Sequence, residues 1–284
     1  MRPSNRRRRR RARGRALLAV LLIAVAIGGY LGVKGVVTNF GSPTCQATAL
    51  GRSESFTPEQ TANAATISAV AVRRNLPPRA ATIAVATAIQ ESKLRNITFG
   101  DRDSLGLFQQ RPSQGWGTEA QVTDPVYASG KFYDALVKVD GYQSMEITKV
   151  AQEVQRSAFP EAYADHEQEG RVLASALTGH SPGGLGCRLA TPTEAGTPAT
   201  VVKELKAELG MTGHVSGRTV TLRESSPVRA WAAGAWAVAN AQHHGTLTVT
   251  VGDRTWSRSR DESAWTWQRA RTPVAATSVV LRLA

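Results

Sequence analysis

Metal-binding side chains are scarce in this chain. Its 284 residues include five histidines and two cysteines. His166, His180 and His214 are scattered, and the adjacent His243-His244 pair has no acidic or cysteine partner at metal-ligand spacing along the sequence. No metal and no cofactor is expected on that ground. A glycine-rich phosphate loop is also missing, which sets nucleotide-driven chemistry aside. Only one stretch is apolar and long enough to be a membrane span, so the chain alone does not line a transport pathway. No internal repeat relates one part of the chain to another.

Acidic residues are missing from the N-terminus, where nine of the first fifteen residues are arginine. Removing those nine leaves a charge of +4 out of the total +13, so a basic tail precedes a nearly balanced body. Ala16 to Val33 are eighteen residues without a charge, about the length that crosses a bilayer as a helix. Arginines directly before such a run keep the N-terminus in the cytoplasm, and no small-x-small cleavage site follows it. The expectation is a cytoplasmic Arg-rich tail (1–15) and a retained transmembrane anchor (16–38), giving a single-pass type II protein of the cell membrane with its body outside. The arginine run is then a topogenic signal and not a nucleic-acid arm.

An extracytoplasmic chain with an even cysteine count pairs them. Cys45 and Cys187 are therefore expected to form a disulfide that closes most of the body, worth about 4–5 kcal/mol in the chain-entropy picture.

Between these cysteines the pattern reads as helices. Thr57-Pro58-Glu59-Gln60 opens one with a capping box and Pro at the first helical position. Leu76-Pro77-Pro78 ends it, and a second, apolar on nearly every face, follows to about Leu94. Further helices are expected near Tyr127–Val139, Thr148–Ser157 and Glu161–Leu177, with no strand between 57 and 180. Arg188 to Thr200 has the composition of a linker. Beyond it, alternating Val220 and Leu222, Leu247 to Val251, and Val279 to Leu283 read as strands between helices. The predicted fold class is thus a mainly α domain (45–187), a linker (188–200) and a small α+β domain (201–284), behind one N-terminal transmembrane helix.

The candidate site lies at the end of the second helix. Glu91 follows an apolar run that removes water from it, and desolvation keeps a carboxyl protonated toward neutrality. The loop after it supplies Ser104, Gln109, Gln110 and Gln114, groups suited to sugar hydroxyls and acetamides, while Trp116, Phe108, Tyr127 and Tyr133 offer apolar wall. A protonated acid beside such a groove is the arrangement that cleaves a glycosidic bond. Asp101 or Asp103, in the Gly100-Asp101-Arg102-Asp103 segment, is a candidate second carboxylate, or else part of a salt-bridged loop with Arg102.

Glu91-Ser92, followed by Ser104-Leu105-Gly106-Leu107-Phe108-Gln109, resembles the E-S…S-x-G-L-x-Q signature of the lytic transglycosylase and goose-type lysozyme group. Residues 86 to 117 are similar to actinobacterial membrane-anchored wall proteins with a lysozyme-like domain, and the resemblance covers about 45 to 187. It implies cleavage of the β-1,4 bond between N-acetylmuramic acid and N-acetylglucosamine. Glu91 would be the general acid/base, with Ser92 its neighbour and Gly106 and Gln109 shaping the saccharide groove. Members carry a later Ala-Tyr-Asn-x-Gly, whose nearest match here is Ala162-Tyr163-Ala164-Asp165, lacking the Asn and the glycine; Tyr163 is the position that would line the groove. Residues 226 to 284 are more vaguely similar to a metallopeptidase-like domain of other wall proteins but lack its ligand run, so 201–284 is expected to be a non-catalytic module.

The expected function is peptidoglycan glycan-strand cleavage. The expected partners are glycan strands, the lipid bilayer and other cell-wall machinery, with no nucleic acid. The alternative is an inert scaffold that binds wall strands. A metal-handling protein is a third reading, poorly supported by the scattered histidines.

Overall fold

The computed structural model of the chain describes residues 22–30, 42–155, 162–194 and 196–284. Two compact units are present, Met1–Ser42 and Pro43–Ala284. In the first, the described residues form one exposed helix, α1 (22–30). Among the described residues no helix is long and apolar enough to cross a membrane; the rest of the expected 16–38 anchor, and the 1–15 tail, lie outside them.

The second unit opens with a hairpin, β1 (Thr44–Ala49) and β2 (Arg52–Phe56). Leu50 and Gly51 make its two-residue turn with φ of 54° and 73°, the backbone that such a turn demands. β3 (Leu185–Arg188) pairs with the other edge of β1, giving a three-stranded antiparallel sheet of order β2-β1-β3. Cys45 and Cys187 are directly opposed in that pairing and are joined as a disulfide.

Helices α2 (Pro58–Arg73), α3 (Pro78–Ser92), α4 (Glu119–Val122), α5 (Pro125–Leu136), α6 (Ile147–Gln155) and α7 (Glu167–Leu177) lie between β2 and β3. The Thr57 capping box forms as its sequence requires: Gln60 N–H donates to Thr57 Oγ1 at 3.2 Å, and Thr57 N–H to Gln60 Oε1 at 3.0 Å. α3 is buried from Ala80 to Ile89. Its alanines leave room for close approach, and Gly170 of α7 uses it: a Cβ there would stand 2.9 Å from the Thr82 carbonyl and 3.0 Å from the Ala86 methyl.

The remaining elements are α8 (Pro198–Leu209), β4 (His214–Ser216), β5 (Thr219–Arg223), α9 (Pro227–Ala239), α10 (Ala241–His244), β6 (Thr246–Val251), β7 (Arg254–Ser257), β8 (Gln268–Arg269) and β9 (Ser278–Leu283). Their strands form a second antiparallel sheet of order β4-β5-β9-β6-β7-β8. α9 packs on β6 and β9 with one face and on α2 with another.

The expectation of a mainly α fold is therefore corrected. About 47% of the described residues are helical and 18% lie in strands, in two antiparallel sheets, so the fold is α+β. The first sheet escaped notice because β1 buries only Cys45, Ala47 and Ala49, small side chains that produce little visible alternation. Nor do 45–187 and 201–284 stand as separate compact bodies. Residues 188–200, expected as a linker, are built into the unit: Leu189 N–H donates to the Ser259 carbonyl at 2.8 Å, and Ala190 O accepts from Arg258 Nε at 2.5 Å. Trp267 Nε1 donates to Leu185 O at 2.8 Å, fastening the segment before β8 to β3.

Candidate functional site

α3 delivers Glu91 one residue before its end, and the chain then turns sharply. Lys93 and Leu94 both take left-handed backbone, with φ of 54° and 57°. This turn is tied to α2, where Gln60 Nε2 donates to Lys93 O at 3.0 Å and Asn63 Nδ2 to Leu94 O at 2.8 Å. Two side chains of one helix thus set where the Glu91 turn of another comes to rest.

The loop that follows is held as firmly. Ser92 Oγ donates to the carbonyls of Ala88 and Leu107, at 3.1 and 2.8 Å, and is buried. Gly106 adopts φ +76°, and a Cβ there would fall 2.2 Å from the Val122 carbonyl oxygen, so no other residue fits. Leu105 and Gln110 pair by two backbone hydrogen bonds across the tip. Gln110 Nε2 donates to Ala128 O at 3.1 Å and Gln109 Nε2 to Gly106 O at 3.3 Å. Asp103 accepts from Arg111 Nε and from Ser113 N–H, each at 2.8 Å, which holds its carboxyl well below the usual carboxylate range.

Between this loop and helices α5 and α6 runs an open trough of about 1090 Å³. Glu91, Ser104, Gln109, Gln110, Gln114 and Trp116 all line it. Glu91 is half-buried, and burial pushes its carboxyl above the ordinary value, offset in part by hydrogen bonds from Tyr163 and Gln155. The Tyr163 hydroxyl donates to Glu91 Oε1 at 2.7 Å, and the tyrosine itself is fully buried. The helix-end neighbour Gln90 is fixed too, its Oε1 lying 3.0 Å from His166 Nε2.

Neither a protein-family model nor a curated protein matches this chain. What the site does must be read from its own atoms.

Several residues singled out from the sequence sit away from the trough. Phe108 is buried and stacked on Phe132, ring centroids 4.7 Å apart, so it supports the loop from beneath. Ser92 and Gly106 shape the loop without lining the trough. Tyr163, expected to line a groove, lies behind Glu91 and orients it. Of the two aspartates, Asp103 is engaged in its clasp with Arg111, while Asp101 is on the trough wall with its side chain 92% exposed.

Other wall residues went unnoticed in the sequence. Glu153 and Gln155 come from α6 and Asp140 from the turn before it. Gln155 also donates to Phe108 O at 2.7 Å, linking the Glu91 turn, the loop and α6 through one amide. Their sequence signal is the strong amphipathicity of 147–155, whose polar residues Glu153 and Gln155 face the trough. Four of the five C-terminal tryptophans are packing residues: Trp236 and Trp256 are buried, and Trp267 packs edge-on to Trp231; half-buried Trp265 instead takes the Arg188 guanidinium over its ring at 5.2 Å.

Proposed function

We propose that the protein cleaves the glycan strands of peptidoglycan, as a lytic transglycosylase or muramidase, with Glu91 as general acid/base. One observation carries this reading. A desolvated carboxyl, oriented by a buried tyrosine hydroxyl, opens onto a trough walled by serine, glutamine and tryptophan side chains. At about 1090 Å³ the trough is at the top of the ~300–1,000 Å³ range of ligand clefts, which leaves room for more than one sugar ring.

In the proposed reaction a glycan strand lies along the trough with its scissile oxygen at Glu91. The amides of Gln109 and Gln114 and the Ser104 hydroxyl meet sugar hydroxyls and acetamides, and Trp116 offers a ring face, while the buried Gln110 amide holds the loop to α5. Glu91, protonated, donates to the leaving oxygen. The same carboxylate then takes a proton either from water or from the sugar's own hydroxyl. The first route leaves a reducing end and the second an anhydro ring lacking the elements of one water. Asp101, Asp140 and Glu153 are the wall carboxylates available to assist the first. An extracytoplasmic position at the cell membrane belongs to the same proposal, supported by the Cys45–Cys187 disulfide and the basic-then-apolar N-terminal sequence.

Zymography on purified walls with wild type and Glu91→Gln tests the reading. Clearing by wild type, reduced ~10²–10⁴-fold in the variant, is expected. Equal clearing by both removes Glu91 as the acid, and no clearing by either removes the enzyme and leaves a wall-binding scaffold. Mass analysis of the released ends distinguishes the two product types.

A further inference from the structure

The adjacent histidines lack a partner in sequence, but the fold supplies one. Glu204 on α8 reaches the His243-His244 pair on α10, forty residues away from His244. His244 Nε2 lies 2.7 Å from Glu204 Oε2, and His243 Nε2 lies 3.8 Å from Glu204 Oε1. One ligand atom from each of the three residues falls within 4.8 Å of the others. A tetrahedral ion with bonds of ~2.0–2.1 Å needs its ligand atoms ~3.3 Å apart. The two measured separations run to different oxygens of the Glu204 carboxylate, and all three ligand atoms lie within 4.8 Å of one another, so shifts of up to about 1.5 Å, within reach of the exposed His243 side chain, would seat an ion.

From this geometry we propose that Glu204, His243 and His244 bind a divalent transition metal of the zinc class. Two imidazoles and one carboxylate are borderline ligands that favour zinc over magnesium or calcium. His244 is 1% exposed and its ring packs against Trp236, centroids 5.3 Å apart, so one ligand is held rigidly. Among the described residues its buried Nδ1 has no hydrogen-bond partner. Nε2 is the His244 nitrogen that faces Glu204, so it would be the ligand atom. His243 is 70% exposed and lines the edge of a second cavity of about 520 Å³. The ion therefore keeps a fourth position open to water or to a small anionic ligand entering from that cavity. A bound ion also pins α10 to α8.

The test uses the full-length chain without a histidine tag, purified without chelator. Zinc is titrated by calorimetry, and cobalt by the visible absorption that marks a tetrahedral site. One ion per chain is expected, with tetrahedral cobalt absorption and affinity reduced at least ~10-fold in His243→Ala. Because His243 is exposed, that variant retains its fold, which circular dichroism checks; Glu204→Gln is the second variant. Absence of saturable one-to-one binding, or unchanged affinity in both variants, overturns the proposal and leaves a simple His–Glu hydrogen bond. Neither outcome depends on what Glu91 does.

Discussion

Glu208 offers a direct test of whether residues 43–284 fold as one body. It lies on α8, 8% exposed, and its Oε2 accepts from Trp236 Nε1 on α9 at 2.8 Å. The Thr66 hydroxyl of α2 also lies close enough to favour its ionised form, so three helices from both ends of the chain meet at one carboxyl. Burial, outweighing those contacts, pushes its pKa from 4.5 up to about 7. At about 1.4 kcal/mol for each tenfold change in proton affinity, the rise corresponds to about 3 kcal/mol. The sign follows from which state holds the proton. Below pH 4.5 folded and unfolded chains are both protonated here, and the group imposes no penalty. Between about 4.5 and 7 the unfolded chain releases the proton while the folded chain keeps it, so stability falls as pH rises. Above 7 the loss levels off. Glu208→Gln, which keeps an acceptor for Trp236, should accordingly be neutral at pH 4 and stabilising by up to about 3 kcal/mol at pH 8. Urea unfolding of both proteins at the two pH values, followed by tryptophan fluorescence, measures the difference free of every other titrating group. A variant effect that is the same at both pH values refutes the buried-carboxyl account. A change confined to one of two separate unfolding transitions refutes the single cooperative body.

Two further predictions concern the trough. Tyr163→Phe removes the hydroxyl that stabilises ionised Glu91, so the carboxyl rises further and the alkaline limb of the pH–activity profile moves to higher pH. An unmoved or lowered limb sinks the assigned role of Tyr163. Gly106→Ala forces left-handed backbone on a residue with a Cβ and drives that atom into the Val122 carbonyl. It should destabilise the chain by at least about 2 kcal/mol in thermal or urea melts, and a smaller loss shows that the loop relaxes around it.

Much of the helical part was legible in the chain because the signals are local. Thr57-Pro58-Glu59-Gln60 carries its own capping box, Leu76-Pro77-Pro78 its own break, and Asp124-Pro125 its own start, with Asp124 Oδ1 accepting from Val126 N–H at 2.8 Å. The strands β5, β6 and β9 announced themselves through large alternating residues. The first sheet did not, because its inward side chains are alanine and cysteine, and β3 is buried along its whole length. The candidate site divides along the same line. Glu91 and the glutamine-rich loop were readable as a desolvated acid followed by hydrogen-bonding groups.

The sequence by itself determined the helix ends, the acid at position 91, the glycine at 106 and a disulfide between the only two cysteines. Tertiary structure alone decided that the two halves pack as one unit, that Tyr163 stands behind Glu91 72 residues away, and that Glu204 meets His243 and His244. Caps, breaks and turn residues act through neighbours a few positions along the chain, so they are written in local order. A hydrogen bond or a ligand set between distant helices depends on how apolar faces stack. That stacking is an outcome of the whole core, and no short window of residues contains it.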